Sequence, residues 1–193
     1  IVAGIPYGSF ARTPLKMLTE ISKHEIPDDM AKYDMVWILC HLGGGEPRTL
    51  PERLRCTLLG IAIRINDTRS VELLITYGGL TLEDVRAYGN NAFHVACTGG
   101  HEAIARLLFS LGLTLEDVRG NLNFAFRWAC RNGHETTARW LFSLGLTLED
   151  VRTCNNEAFR RACERGHEAI ARWLLSLGLT LEDVRADYNK EFR

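Results

Sequence analysis

An acidic pair recurs along the chain within the segment Leu-Thr-Leu-Glu-Asp-Val-Arg, which occurs at 80–86, 113–119, 146–152 and 179–185. Each copy begins 33 residues after the one before it. Neighbouring carboxylates can ligate a metal ion, exchange protons in catalysis or stabilise the start of a helix. They can also belong to a joint in a repetitive scaffold, and the segment alone leaves these roles open.

Histidine and cysteine recur with the same period. The repeated residues are His101, His134 and His167, and Cys97, Cys130 and Cys163. Stacked helices lie about 8–10 Å apart, whereas a zinc ion holds its ligands at about 2.0–2.3 Å. The spacing therefore predicts no metal site and no ladder of disulfides. It favours histidines with a structural role in the turn between helices, and small buried cysteines.

The residues do not assemble into a recognisable catalytic motif. The repeated serines occur where the repeat places them, and the unrepeated histidines, His24, His41 and His94, accompany no nucleophile motif. The segment Gly-Gly-Gly-Glu-Pro at 43–47 is interpreted as a joint and not as a phosphate-binding loop. We predict a protein that is not an enzyme, with no catalytic residue, cofactor, metal ion or small-molecule substrate.

Composition narrows the class of partner. The 193 residues are 46% apolar and 24% charged, with a formal net charge of −1, so no overall attraction to nucleic acid or to an anionic membrane is expected. No apolar run approaches the roughly 20 residues of a membrane-spanning helix. Six cysteines without close CxxC pairs favour a reducing compartment. The predicted location is the cytoplasm, with the nucleus or a host cytosol as alternatives.

The repeating unit has the frame Asn-x-Ala-Phe-x-x-Ala-Cys-x-x-Gly-His-Glu, followed by a helix-like stretch that ends in Ser-Leu-Gly. In one copy, Asn123 is predicted to cap a first helix whose apolar residues recur at three- and four-residue steps. Gly133 ends that helix, and a second amphipathic helix runs to a left-handed cap at Gly145. Isolated helices this short are marginal in water. The sequence therefore predicts helix-turn-helix units that bury their apolar faces by stacking.

The acidic segment lies between one helix pair and the next. Thr114 precedes Asp117 by three residues, a spacing close to that of a capping box. Carboxylates are also favourable near the positive end of a helix, and Leu115 and Val118 are spaced to turn inward. We therefore predict a short helical turn in the joint, in which the acidic pair serves the architecture.

Together these features resemble the ankyrin repeat. The period of 33 residues matches, and Gly-His-Glu-Ala-Ile-Ala-Arg-Leu-Leu-Phe-Ser-Leu-Gly at 100–112 is similar to the second helix of that family. The resemblance implies an all-α ankyrin-repeat solenoid that covers 1–193 as a single domain. The implied repeats are a divergent first one at about 10–50, then about 55–88, 89–121, 122–154 and 155–187, with the start of a further repeat at 188–193.

The chain departs from the family pattern in its joints. The usual β-hairpin fingers are absent, and the Leu-Thr-Leu-Glu-Asp-Val-Arg segment takes their place, so short helical joints are expected. In this respect the repeats are similar to the divergent ankyrin repeats that are common in amoebae, large DNA viruses and intracellular bacteria.

The resemblance implies partner binding on the concave side formed by first helices and joints, at the positions where the repeats differ. These positions are Tyr88, Val95, Thr98, Asn121, Leu122, Trp128, Arg131, Asn155, Arg161, Glu164 and Arg165. A tryptophan among arginines has the composition of an interface hot spot, and its positive sign indicates an acidic protein or peptide. In the alternative interpretation, Arg127 replaces a capping histidine of the family, Trp128 packs on its neighbour, and the arginines pair with glutamates on a solvated face.

The sequence thus predicts a non-catalytic scaffold for protein–protein interaction. The first alternative is a substrate-recruiting or regulatory ankyrin domain of a larger enzyme, effector or ubiquitin-ligase complex. The second is nucleic-acid binding through the arginines, which the nearly neutral net charge disfavours.

Overall fold

The computed structural model describes residues 52–76, 78–180 and 183. Every regular element within these ranges is a helix, in agreement with the predicted fold class. The helices are α1 Glu52–Arg64, α2 Thr68–Thr76, α3 Leu82–Thr98, α4 Glu102–Ser110, α5 Leu115–Arg131, α6 Glu135–Ser143, α7 Leu148–Glu164 and α8 Glu168–Ser176. The repeat predicted at 10–50 and the repeat start predicted at 188–193 lie outside the described residues.

The chain forms two compact units, 1–87 and 88–193. In the first unit α1 packs against α2, and Leu59 and Ile63 on α1 and Leu74 on α2 are buried. In the second unit α5 packs against both α6 and α7, and α7 packs against α8. The helix pairs of the second unit therefore stack on one another, as the period predicted.

Reciprocal hydrogen bonds cap the helix that begins each joint. The Thr114 hydroxyl accepts from the backbone N–H of Asp117 at 3.4 Å, and the Asp117 carboxylate accepts from the backbone N–H of Thr114 at 2.8 Å. In the next copy the Asp150 carboxylate likewise accepts from the backbone N–H of Thr147, at 2.8 Å. Val118 is fully buried, whereas Leu115 is half-buried. The predicted helical turn in the joint is confirmed.

The backbone leaves helical geometry inside α5 and, at the equivalent residues, inside α7. In α5, Gly120 is extended, and Asn121, Leu122 and Asn123 follow with φ of 51°, 58° and 60°. Consecutive left-handed residues other than glycine are costly, because the Cβ atom crowds the following carbonyl oxygen. Such a segment persists only where the surrounding contacts fix it. It turns the chain from the joint into the first helix of the repeat.

Asn123 does not cap that first helix, so the predicted N-cap is wrong. Its Oδ1 is buried and accepts no hydrogen bond from the described residues, and its backbone is left-handed, whereas an N-cap residue is normally extended. Instead, its Nδ2 donates to Asp150 Oδ1 at 3.2 Å and to Thr153 Oγ1 at 2.9 Å. The asparagine therefore ties its own repeat to the next joint.

Aromatic contacts join successive second helices. Trp140 on α6 meets Phe109 on α4 edge to face, with ring centroids 6.0 Å apart, and the Arg106 guanidinium lies 4.9 Å from the Trp140 centroid. The same arrangement recurs one repeat later around Trp173. Because both tryptophans are buried, these rings form part of the interface between successive second helices.

The turn between the two helices of a repeat contains the recurring histidine. His167 Nε2 lies 3.0 Å from the carbonyl oxygen of Arg131. The predicted structural role of the histidine is therefore confirmed at this repeat, and its contact with the backbone joins two repeats. A matching close approach is seen at the glycine of the preceding turn, since a Cβ atom added to Gly133 would lie 2.7 Å from His167 Cε1.

The recurring cysteines have two different environments. Cys97 and Cys130 are fully buried, as predicted. Cys163 is exposed, so the prediction of burial is wrong there. The reason is its place in the stack: α7 packs against α5, which carries Cys130, whereas no later repeat among the described residues packs against α7.

Three glycines differ in whether an added side chain would strain the backbone, overlap a neighbouring residue, or do both. Gly120 has a φ of −47°, and a Cβ atom there would approach only Asn90 Nδ2, at 3.7 Å. Gly166 has a left-handed φ of 76° with nothing within 4 Å of an added Cβ atom, and Gly133 combines a φ of 84° with the close approach to His167.

Alanine substitutions at these three positions are expected to lower the free energy of unfolding by different amounts. Gly120→Ala should stay within about 1 kcal/mol of the wild-type free energy of unfolding, and Gly166→Ala should lose about 1–2 kcal/mol to strain. Gly133→Ala adds steric overlap and should lose roughly 2–5 kcal/mol. Urea unfolding followed by circular dichroism measures all three. Equal losses at Gly133 and Gly166 would contradict the packing of His167.

Candidate interaction surface

In the second unit, the aspartate of the acidic pair receives hydrogen bonds from the repeat before it. Arg119 Nε donates to Asp150 Oδ1 at 3.1 Å, and Arg119 Nη2 donates to Asp150 Oδ2 at 3.1 Å. Arg152 donates to Asp183 with the same geometry, at 3.0 and 3.1 Å. These bidentate pairs have the strong fork geometry of arginine with carboxylate. They are termed the arginine–aspartate ladder.

The first unit contains the same kind of pair. Arg55 on α1 donates to both carboxylate oxygens of Asp84, at 2.8 and 3.0 Å. The Asp84 side chain is only 2% exposed, and its carboxylate also accepts from the backbone N–H of Thr81 at 2.8 Å. One carboxylate thus caps its own helix and binds an arginine from the helix pair before it.

The ladder lowers the pKa values of its carboxyl groups. Burial alone would raise the pKa of Asp150, but hydrogen bonds from Arg119 and Thr147 outweigh it and bring the pKa below the usual aspartate value. Hydrogen bonds from Arg152, followed by those from the helix cap, lower the pKa of Asp183 to about 2. The aspartates are therefore held in the ionised form that the arginines require.

The two members of the acidic pair have different environments. The glutamates Glu116 and Glu149 are 83% and 82% exposed and pair with an arginine of their own turn, whereas the aspartates bind across repeats. The predicted architectural role is confirmed for the aspartates. The sequence analysis missed the arginine, although the signal was present: it follows the aspartate by two residues in every copy.

Four planar side chains form a row across the first helices of two repeats. The His94 and Phe124 ring centroids are 5.1 Å apart, and the Phe124 and Trp128 centroids are 5.2 Å apart with 29° between the ring planes. The Arg131 guanidinium carbon lies 4.1 Å from the Trp128 centroid. His94, Phe124, Trp128 and Arg131 are termed the planar stack. Its last three members follow the three- and four-residue spacing that aligns side chains along a helix.

Arg131 ends the planar stack and forms no ion pair with a described residue. A guanidinium that stacks on an indole keeps its N–H donors at its edge, where a carboxylate can meet them. Trp128 is half-buried and contacts Phe124 and Arg131, so the alternative in which this tryptophan packs on its neighbours is confirmed. The ring therefore supports Arg131.

Other arginines on the first helices are occupied. Arg127 donates to the carbonyl oxygen of Leu122 at 2.7 Å and to that of the preceding residue at 3.2 Å, and it pairs with Glu157. Arg161 donates to Glu164 at 2.8 Å. The alternative in which the arginines pair with glutamates is thus confirmed at these positions, but the Arg127–Glu157 pair is largely buried and does not lie on a solvated face. Arg127 in particular fixes the left-handed segment of the joint.

The remaining predicted residues of the first helices differ in accessibility. Val95 is 37% exposed, and Arg165 is exposed and has no ion pair among the described residues. Thr98 is half-buried, and its carbonyl oxygen accepts from Asn132 Nδ2 at 3.0 Å. Val95 and Arg165 are therefore available to a partner, while Thr98 mainly connects two turns. Their role in binding stays a prediction.

The predicted residues of the joints lie at the left-handed segments. Leu122 is 64% exposed, and Asn121 and Asn155 are exposed with φ of 51° and 57°. The side chain of Tyr88 lies outside the described residues. An exposed leucine on a backbone held by Arg127 is a rigid apolar tip, and its contact with a partner stays a prediction.

Sequence reasoning missed two members of the planar stack. Phe124 was detectable, because it precedes Trp128 by four residues. His94 was not, because its contact with Phe124 joins two repeats. His94 is 6% exposed, and burial lowers its pKa, so a neutral imidazole adjoins the phenyl ring.

Two further properties bear on function. None of the helices in the described ranges is long and apolar enough to cross a membrane. The described histidine, cysteine, aspartate and glutamate side chains form no group of three or more with the arrangement of a metal site.

Comparison with known families agrees with the helical stack. A family model described as ankyrin repeats in three copies matches residues 29–119. A second model, described as ankyrin repeats in many copies, matches residues 126–175. No curated protein sequence matches the chain significantly.

Replacing Asp150 by asparagine tests the arginine–aspartate ladder. The amide keeps the shape of the side chain but removes the charge that Arg119 binds, so Asp150→Asn should lower the free energy of unfolding by about 1–3 kcal/mol. Glu149→Gln is the matched control, because it removes the same charge from an exposed side chain, and it should cost about 0.5 kcal/mol or less. Urea unfolding measures both variants, and equal costs would argue against the ladder.

The depressed aspartate pKa values also predict a dependence of stability on pH. An unfolded aspartate titrates near pH 3.9, so the ladder contributes its full stability above about pH 4 and loses it as the pH falls toward 2. The lowered pKa of His94 adds a separate loss that begins below about pH 6.5. Asp150→Asn should therefore reduce the decline of the urea midpoint between pH 4 and 2.5 and leave the decline between pH 7 and 5 unchanged.

Proposed function

Because this chain belongs to the ankyrin-repeat family, whose repeats are generally modules of protein–protein interaction, we propose that it binds a partner protein through the planar stack. The repeats act as a non-catalytic scaffold. The first helices and joints form the concave side in this family, and the planar stack lies on those helices. Arg131 is the central contact of the proposed surface.

The single observation that supports this proposal is that Arg131 is held in position but forms no ion pair with a described residue. Its guanidinium rests on Trp128 at 4.1 Å, and no described carboxylate pairs with it. By contrast, Arg119, Arg127 and Arg161 all bind carboxylates of the chain itself. A positioned arginine without an internal acidic partner is suited to an external one.

The charge balance around Arg131 supports an acidic partner. The first helices of the last two described repeats, at 123–132 and 156–165, carry five arginines and two glutamates. Both glutamates, Glu157 and Glu164, are ion-paired within the chain. The surface is therefore locally positive although the net charge of the chain is −1, and a protein with a carboxylate-rich segment is the partner that it favours.

Selection from a displayed library of protein segments tests the proposal without a known partner. Binders selected on the wild-type chain should bind Arg131→Ala and Trp128→Ala about 30-fold more weakly, because interface hot spots cost at least about 2 kcal/mol on truncation. Trp128→Ala acts by removing the support of Arg131. Fluorescence anisotropy of individual binders gives the dissociation constants.

Arg172→Ala is the matched control for this selection. Arg172 lies on the second helix α8, is 78% exposed and pairs with Glu168, so the same substitution there should leave binding unchanged. Circular dichroism confirms that each variant stays folded. If the selected binders hold equally to wild type and to Arg131→Ala, the proposed surface is wrong. If a parallel library of nucleic acids yields binders instead, nucleic-acid binding through the arginines is favoured.

A further inference from the structure

Leu122 is unusual among the residues that have a left-handed backbone. Eight described residues other than glycine have a positive φ, and six of them are asparagine. Asparagine visits this conformation routinely, because its short polar side chain can hydrogen-bond locally, whereas other L-residues crowd the following carbonyl oxygen. The two exceptions are Leu122, with a φ of 58°, and Cys154, with a φ of 54°. A leucine in this place therefore carries a conformational cost that asparagine largely avoids.

The next repeat shows that the joint does not require leucine. Asn155 occupies the equivalent position, 33 residues after Leu122, and has nearly the same φ of 57°. The core gains little from the leucine, because 64% of its surface is exposed. Neither the backbone nor burial therefore explains why leucine is present. Residues in costly conformations of this kind cluster at functional sites.

Arg127 holds the backbone of the exposed leucine in place. Its guanidinium donates to the carbonyl oxygen of Leu122 at 2.7 Å and to that of Asn121 at 3.2 Å. The Arg127 side chain is only 11% exposed and pairs with Glu157 of the following repeat. Because this part of the joint is already ordered, a partner that contacts Leu122 spends little free energy on ordering it.

Leu122 lies beside the planar stack. It precedes Phe124 by two residues, so the two Cα atoms are at most about 7.6 Å apart. The backbone is helical again after Asn123, and the helix rises about 10.5 Å from Phe124 to Arg131. Leu122 and Arg131 are therefore close enough for one interface of ordinary size, which buries about 800 Å² on each partner.

We infer that Leu122 is a second contact of the proposed surface and that the partner offers it an apolar side chain. A carboxylate of the same partner binds Arg131. The partner is thus an acidic protein segment that also exposes an aliphatic or aromatic residue, and a segment with acidic residues alone binds more weakly. The inference rests on the proposed function and adds the apolar part of its specificity.

Leu122→Asn tests this contact, because it introduces the residue that the next repeat has at the same position. Asparagine suits the left-handed backbone, so the midpoint of urea unfolding should stay the same or rise. Library binders that depend on Arg131 should nevertheless bind this variant about tenfold more weakly by fluorescence anisotropy, because an apolar contact is lost. A leucine that served only the fold would not give this combination.

Two matched variants separate the apolar contact from other effects of substitution. Leu122→Met keeps an apolar side chain of similar volume and should retain binding within about threefold. Leu175→Asn makes the same exchange at a leucine of the second helix α8 that is 42% exposed, and it should leave binding unchanged.

Alanine substitution along a selected binder identifies the group that meets Leu122. Truncation of one apolar residue of the binder should weaken binding to the wild-type chain about tenfold. The same truncation should have little effect on binding to Leu122→Asn, because both changes remove one shared contact.

The inference is overturned if Leu122→Asn leaves the dissociation constants unchanged, or if it lowers the urea midpoint. It is also overturned if Leu122→Met weakens binding as much as Leu122→Asn does, or if no apolar residue of the binders couples to Leu122. In each case, binders that still depend on Arg131 leave the proposed function standing. If no binder depends on Arg131, the proposed function and this inference both fail.

Discussion

The bidentate contact between Arg119 and Asp150 couples two repeats at the same carboxylate that caps a helix. The two oxygens of this carboxylate accept hydrogen bonds from the arginine and also from the backbone of their own joint. The start of the helix and the position of the preceding repeat are therefore fixed together. Asn123 reaches the same carboxylate from the preceding repeat. The joint thus sets both the direction of the chain and the spacing of the stack.

This coupling explains how the joint holds a costly backbone. Three consecutive left-handed residues precede the first helix of a repeat, and Asn123, the last of them, donates its amide to the next joint. Arg127 binds the carbonyl oxygens of the other two. The contacts of Asn123 therefore form only when a following repeat supplies the acceptors, whereas Arg127 binds carbonyl oxygens of its own repeat.

The same combination of an aromatic ring and an arginine serves two purposes in the described stack. On the second helices, Arg106 covers the buried Trp140, and the contact closes the interface between repeats. On the first helices, Arg131 covers the half-buried Trp128 and meets no carboxylate of the described chain. The two sites differ in the burial of the tryptophan and in the pairing of the arginine. Arg106 also binds Glu102, whereas Arg131 keeps its donors for a partner.

The amino-acid sequence by itself determined the repeat. Its period, its apolar spacing and its capping boxes are local properties, so the helices, the order of the joints and the family were predictable from residues close together in the chain. The tertiary structure decided every contact that crosses from one repeat to the next. The partner of Asn123, the exposure of Cys163 and the pairing of Arg119 with Asp150 depend on residues about one repeat away. For that reason the local pattern predicted a cap and a buried thiol where neither exists.

The accessible surface was likewise decided by contacts between side chains. The spacing of residues singled out Trp128, but only the packing determined that its ring supports Arg131. Packing also determined that Arg127 and Arg161 are already paired with carboxylates of the chain.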